Sequence, residues 1–129
     1  MKFNSKVGAY RAANVYFHPE KLVATSYDWW TFVKRIDGHT VFNSYGYSNT
    51  TRRHQYRVRE VMRDLGLVID REVRVPSSLS NFDNMMEIIA AHDKAEAKRL
   101  ADERKKRDLK NARARERRAE ARGMGKVGF

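Results

Sequence analysis

The sequence predicts an α+β protein, in which a small antiparallel sheet of three or four strands packs with one helix and a long basic C-terminal helix follows. Twelve of the 14 aromatic residues lie before residue 81, which indicates a packed body over residues 1–81. Residues 104–122 instead contain ten cationic side chains, three acidic ones and one large apolar residue, Leu109. A segment of that composition cannot form a core. The 129 residues therefore suit one compact domain with an extension.

A β-hairpin is the clearest local signal, in the stretch WWTFVKRIDGHTVFNSY. The turn residues Asp37-Gly38 separate two runs rich in β-branched and aromatic residues, which is typical of a two-residue hairpin loop. This turn pairs Ile36 with His39 and Val33 with Phe42. Aromatic residues occur on both faces of the predicted hairpin, so the pattern does not identify the core face. A further short strand is predicted at residues 21–25.

A capped helix is predicted next, in SNTTRRHQYRVREVMRDLGL. Ser48, Asn49 or Thr50 can cap its N-terminus, and Gly66 is suited to the left-handed residue that ends a helix. Its buried face is predicted from the i, i+3, i+4, i+7 spacing of Val58, Val61, Met62 and Leu65. A strand over residues 67–75 should follow, because apolar residues alternate there before Pro76.

The second helix is predicted to begin near Ser80, because Ser80 and Asp83 have the spacing of a capping box. Its docking stripe is predicted as Phe82, Met85, Met86 and Ile89. No helix breaker occurs before Gly123, so the sequence predicts one helix over residues 82–122. We expect it to dock at its start and to be solvent-exposed and basic after about residue 100. Residues 123–129 are expected to form a flexible tail.

The formal charge of +11 indicates a polyanionic partner. Arginine, which predominates after residue 110, suits phosphate through its planar set of donors. The segment has no apolar face for a membrane surface and no sustained heptad seam, so we expect no membrane partner and favour a monomer. A solvated face, a disordered tail or a nuclear localisation signal are the other interpretations. The predicted phosphate-binding residues of this segment are Arg104, Lys105, Lys106, Arg107, Lys110, Arg113, Arg115, Arg117, Arg118 and Arg122.

The first helix supplies a second basic surface. Its predicted nucleic-acid-binding residues are Arg52, Arg53, Tyr56, Arg57, Arg59 and Arg63. Arg52 and Arg53 lie near the positive end of the helix dipole, where each destabilises the helix by roughly 0.3–1 kcal/mol. Tyr45 and Tyr47 are candidates for stacking on unpaired bases, as is one of the tryptophans, although core packing is the expected role of both tryptophans. The alternative is that Glu60, Asp64 and Asp28 neutralise the arginines in surface pairs.

Catalytic chemistry is not expected from this sequence. Cysteine is absent, and the four histidines (His18, His39, His54 and His92) have no metal-ligand spacing. His54 falls on the inner face of the first helix, where we expect it to be partly buried. No nucleophile elbow, phosphate-binding loop or dinucleotide glycine pattern is present. We therefore expect no enzyme activity, no cofactor and no metal.

The stretch Trp29–Leu65, with W-x-x-F, the Asp-Gly turn and the following helix, resembles the arrangement of integrase arm-binding DNA domains. That resemblance is an analogy of arrangement, and it implies strands that lie in the major groove.

The sequence thus predicts an intracellular protein, of the cytoplasm, nucleoid or nucleus, that binds DNA or structured RNA. The alternative is a small protein-interaction effector or inhibitor, of the kind that phages encode, which docks on an acidic or nucleic-acid-binding host protein.

Overall fold

The computed structural model describes the backbone of residues 1–127 and the side chains of residues 1–123. Seven strands form one sheet in chain order, antiparallel throughout except that β6 and β7 are parallel. The strands are β1 (Lys2–Asn4), β2 (Ala9–Ala12), β3 (Val15–His18), β4 (Val23–Ser26), β5 (Trp30–Ile36), β6 (His39–Asn43) and β7 (Arg71–Val73), and the helices are α1 (Asn49–Asp64), a short 3-10 helix (Leu79–Asn81) and α2 (Met85–Val127). The α+β class and the long C-terminal helix are confirmed, whereas the prediction of three or four strands is wrong.

Strands β1 to β3 were not predicted. Each is only three or four residues long, which is too short for an alternating pattern to stand out. Their turns lack an Asn-Gly or Asp-Gly pair, and the positive φ values are instead those of Gly8 and Asn14. The sheet therefore contains three more strands than the prediction placed within residues 1–81. The predicted strand at residues 21–25 corresponds to β4, which ends at Ser26.

The hairpin β5–β6 has the predicted register. Ile36 pairs with His39 and Val33 pairs with Phe42, and both turn residues have positive φ. Both faces of this hairpin are buried, which explains why aromatic residues on the two faces did not identify the core face. One core cluster contains Phe32, Val33 and Phe42 together with α1 residues, and the other contains Ile36 and Val41 together with Ile88 of α2.

Helix α1 connects the parallel strands β6 and β7. Ser48 is its N-cap, since Ser48 Oγ accepts a hydrogen bond from Thr51 N at 3.1 Å, and Gly66 has the expected positive φ of 70°. Val58 and Met62 are buried as predicted, but Leu65 is exposed. The strand predicted over residues 67–75 is reduced to the three residues of β7. A crossover helix within a seven-stranded sheet also differs from the DNA-domain arrangement that the sequence resembled.

A buried asparagine joins β6 to the chain after β7. Asn43 Nδ2 donates hydrogen bonds to the carbonyls of Val75 and Ser77, at 2.9 and 3.2 Å. Asn43 Oδ1 accepts from the backbone N–H groups of Val75 and Tyr45, both at 3.1 Å. One side chain therefore satisfies four backbone groups that no neighbouring strand reaches.

The start of α2 differs from the prediction. Ser78 caps the 3-10 helix, whereas Asn84 precedes α2 and accepts a hydrogen bond from Glu87 N at 3.0 Å. Asp37 of the hairpin turn accepts a second one from Met85 N at 2.7 Å, so the hairpin supplies a cap that the local sequence does not contain. The predicted docking residue Met86 is 79% exposed, and Ile88, two residues later, is buried instead.

The chain divides into two compact units, Met1–Ala95 and a second that begins at Glu96. In the second unit Leu100 and Leu109 are exposed, and Arg99 forms ion pairs with Glu96 and Glu103 at 2.9 and 2.8 Å. The sequence predicts that the helix ends at residue 122, whereas α2 continues to Val127; the rest of the tail predicted at 123–129 lies outside the described residues.

Candidate nucleic-acid interface

All ten predicted cations of residues 104–122 have exposed side chains on α2. The ion pairs of the described side chains join Arg59 to Glu72, and Arg99 to Glu96 and Glu103. None of them involves a residue of 104–123. The positive charges of these ten side chains are therefore not neutralised by ion pairs with the described acidic side chains.

The cations are not distributed evenly around the helix. At about 100° per residue, nine of the ten fall within an arc of roughly 200°, and the three acids of the segment fall in the remaining arc. We call the first arc the cationic face: Arg104, Lys106, Arg107, Lys110, Arg113, Arg115, Arg117, Arg118 and Arg122. The opposite arc contains Lys105, Asp108, Leu109, Glu116 and Glu120. This segregation follows from the sequence once the segment is helical, although composition alone did not reveal it.

The six predicted residues of α1 do not form one surface. Arg52, Tyr56, Arg59 and Arg63 lie within an arc of about 60°, along roughly 16 Å of the helix axis. Arg57 is about 200° from Arg59 and lines a cavity with Met1 and Tyr10. The predicted docking face is therefore divided between the two flanks of the helix.

Arg59 already has partners within the protein. Its guanidinium forms an ion pair with Glu72 of β7 and lies over the Phe42 ring, with Cζ 4.2 Å from the ring centroid. This cation–π attraction holds the Arg59 guanidinium in its position over the Phe42 ring. Arg59 is consequently less available to a ligand than Arg52, Arg53 or Arg63, which are exposed and form none of the ion pairs above.

Of the three acids expected to neutralise these arginines, Glu60 has a different partner. Its carboxylate accepts a hydrogen bond from the exposed Tyr56 hydroxyl, and this bond, with the negative charge of Glu60, raises the Tyr56 pKa. Tyr56 therefore remains a neutral hydrogen-bond donor at physiological pH.

Four aromatic residues cluster where β5 begins and where the chain leaves β6. Trp30 is buried, and its ring centroid lies 5.1 Å from that of Tyr47 and 6.3 Å from that of Tyr45. Trp29 lies 5.7 Å from both Trp30 and Tyr47 but is 61% exposed. The expectation of core packing is thus correct for Trp30 and wrong for Trp29. Trp29 lies in the turn before β5 and Trp30 is the first residue of that strand, and the sequence does not indicate where the strand begins.

The loop of residues 44–48, which carries Tyr45 and Tyr47, is held by α1. Gln55 Nε2 donates hydrogen bonds to the carbonyls of Asn43 and Tyr45, at 2.9 and 2.8 Å. Gly46 lies under the Arg52 side chain, because a Cβ at that position would be only 2.4 Å from Arg52 Cγ. The loop therefore brings the aromatic cluster and an arginine of the predicted docking face together.

His54 is buried in the protein core, with its Nδ1 atom 2.7 Å from Ser26 Oγ. Within the described chain no three His, Asp or Glu side chains converge in the manner of a metal site. Of the helices described, none has the length and apolar content that crossing a membrane requires. Comparison with protein-family models, with curated proteins and with solved structures gives no match for this chain.

Proposed function

We propose that this protein binds nucleic acid, and that the cationic face of α2 makes most of the contacts to phosphate. The observation that carries the proposal is the separation of charge around the helix, with nine cations in one arc and three acids in the other. A stretch that only needed solubility would gain nothing from this separation, because mixed charges solvate a helix equally well. A polymer of regularly spaced phosphates binds more tightly to a helix whose cations lie on one face, because contact with them releases condensed counterions.

Helix α1 contributes a smaller second contact in this proposal. Arg52, Arg53 and Arg63 are exposed and form none of the ion pairs of the described side chains, and the first turn of the helix contains no acidic residue. The free N–H groups of a helix N-terminus favour an anion, which strengthens the contribution of Arg52 and Arg53. Arg59 has a structural role as the partner of Glu72.

The proposal is tested by measuring binding to duplex DNA, single strands and folded RNA across a salt series. If about six cations contact duplex phosphates, the logarithm of the association constant should fall with log salt at a slope near −5. Binding that is insensitive to salt would contradict a phosphate-based mechanism. A protein partner that stays bound after nuclease treatment and high salt would support the protein-docking alternative instead.

A further inference from the structure

Trp29 and Tyr47 expose aromatic surface although burial would stabilise the protein. Trp29 is 61% exposed and Tyr47 is 38% exposed. Burial of a large aromatic side chain is favourable, so adjacent exposed rings indicate a surface that another molecule covers. We call Trp29, Trp30, Tyr45 and Tyr47 the aromatic patch.

The exposed rings are held in position by buried groups. Trp30 contacts Trp29 and Tyr47 edge-on, at interplanar angles of 80° and 65°. Gln55 fixes the backbone carbonyl of Tyr45, which limits movement of the loop that carries Tyr47. A ring that is already ordered loses little conformational entropy when a ligand stacks on it.

The backbone before Trp29 is strained. Tyr27 and Asp28 both have positive φ, at 56° and 63°, a conformation that disfavours a bulky side chain such as that of tyrosine. Aspartate tolerates this conformation, as asparagine and glycine do, so the cost falls on Tyr27 and not on Asp28. The turn therefore contains one residue of unfavourable conformation, Tyr27, two positions before the exposed Trp29.

A cation adjoins the patch. Arg52 lies across Gly46, the residue between Tyr45 and Tyr47, at a distance that leaves no space for a Cβ. The patch therefore presents flat aromatic surface beside an unpaired guanidinium, and a complementary ligand combines a planar ring with a negative charge. A nucleotide within a single strand has both features, whereas a duplex keeps its bases stacked on one another.

We propose that Trp29 and Tyr47 stack with an unpaired base of single-stranded nucleic acid while Arg52 contacts the neighbouring phosphate. This inference rests on the proposed function, in which α2 supplies most phosphate contacts, and it adds the class of nucleic acid. The preference for unpaired bases comes from the patch, since phosphate contacts alone do not distinguish a strand with bases from one without them.

The test compares a 12-nucleotide single strand with an abasic strand of the same length and charge, using the full chain. The base-bearing strand should bind about tenfold more tightly, in line with the loss per base on removing a stacking residue. Because Trp29 and Trp30 are the only tryptophans, this strand should also quench tryptophan emission. Trp29→Ala should remove most of the preference and most of the quenching, since only Tyr47 remains to stack, while Trp29→Phe should retain most of the preference.

The matched control is Phe3→Ala, which removes another exposed aromatic ring, 53% exposed on β1, and should leave the preference unchanged. Equal binding of the two strands by the wild-type protein, or a preference that Trp29→Ala leaves undiminished, would overturn the inference while leaving phosphate binding intact. Failure to bind either strand at low salt would overturn the proposed function itself. Running both arms with DNA and with RNA strands identifies which sugar is preferred.

Discussion

Ser26 Oγ and His54 Nδ1 lie 2.7 Å apart in the core, where they join β4 to α1. His54 is only 4% exposed, and its ring centroid lies 5.4 Å from that of Tyr27. Burial and the nearby charge of Arg57 lower the His54 pKa, against a hydrogen bond to the Ala13 backbone that raises it. The folded protein therefore favours the neutral form of the His54 imidazole.

The free energy of unfolding should fall as the pH drops below the ordinary histidine value of 6.5. Because the His54 pKa is lower in the folded state, the unfolded state takes up the proton first, and stability is complete above 6.5 and lost below it. One such proton contributes at most about 1.4 kcal/mol per pH unit. The measurement is urea unfolding between pH 5 and pH 7.5, and His54→Gln should reduce this pH dependence. The exposed His39 provides the control, and a His39→Gln variant that flattened the profile equally would contradict the assignment.

Asn43→Ala should destabilise the protein by about 2–4 kcal/mol, because it leaves several buried backbone groups without a partner. The affected groups are the N–H and carbonyl of Val75, the carbonyl of Ser77 and the N–H of Tyr45. Chemical denaturation measures the loss. Asn81→Ala removes an exposed amide that also bonds to Ser77, through its hydroxyl, and should change stability by less than about 0.5 kcal/mol. Similar losses of stability in the two variants would show that the hydrogen bonds of Asn43 to buried backbone groups do not contribute more than an exposed amide does.

Gly46→Ala should destabilise the wild-type protein by about 1 kcal/mol, because the new methyl group displaces Arg52. In an Arg52→Ala background, the same substitution should have almost no effect, since the crowded atoms are gone. A double-mutant cycle of unfolding free energies measures this coupling. Additive effects of the two substitutions would mean that Arg52 does not lie over Gly46 in solution.

Neutralising two lysines of the cationic face, Lys106→Gln with Lys110→Gln, should weaken duplex binding and reduce the magnitude of the salt slope by about 1.8. Lys98→Gln with Lys105→Gln is the matched control, because it makes the same chemical change on the opposite arc of α2. We expect the control to leave the slope nearly unchanged. Equal effects of the two pairs would indicate that net charge, and not the cationic face, governs binding.

Local spacing accounts for the parts of the fold that the sequence predicted. The Asp37-Gly38 turn and the Ser48 and Gly66 helix ends depend on residues within a few positions of one another, so their patterns are legible in the chain. The inward direction of His54 was predictable for the same reason, since it lies four residues before Val58 on one helix face.

Long-range contacts account for what was missed. The three hydrogen bonds of Asn43 to Val75 and Ser77 and the Asp37 cap on Met85 join residues far apart in sequence, and no spacing rule indicates them. Ile88 was overlooked in favour of Met86 because the start of α2 is decided partly by that cap and not only by its own first turn.

The excess of cations after residue 100 and their separation around α2 are properties of the sequence alone, because 100° per residue assigns each side chain to an arc without reference to any partner. The aromatic patch exists only in the tertiary structure. Trp29 lies in the turn before β5 whereas Tyr47 and Arg52 both follow β6, and pairing of β5 with β6 brings the two regions together. The physical reason is that helical periodicity depends on residues a few positions apart, whereas burial depends on which distant parts of the chain pack together. The sequence therefore determines the cationic face, and only the tertiary structure determines the aromatic patch.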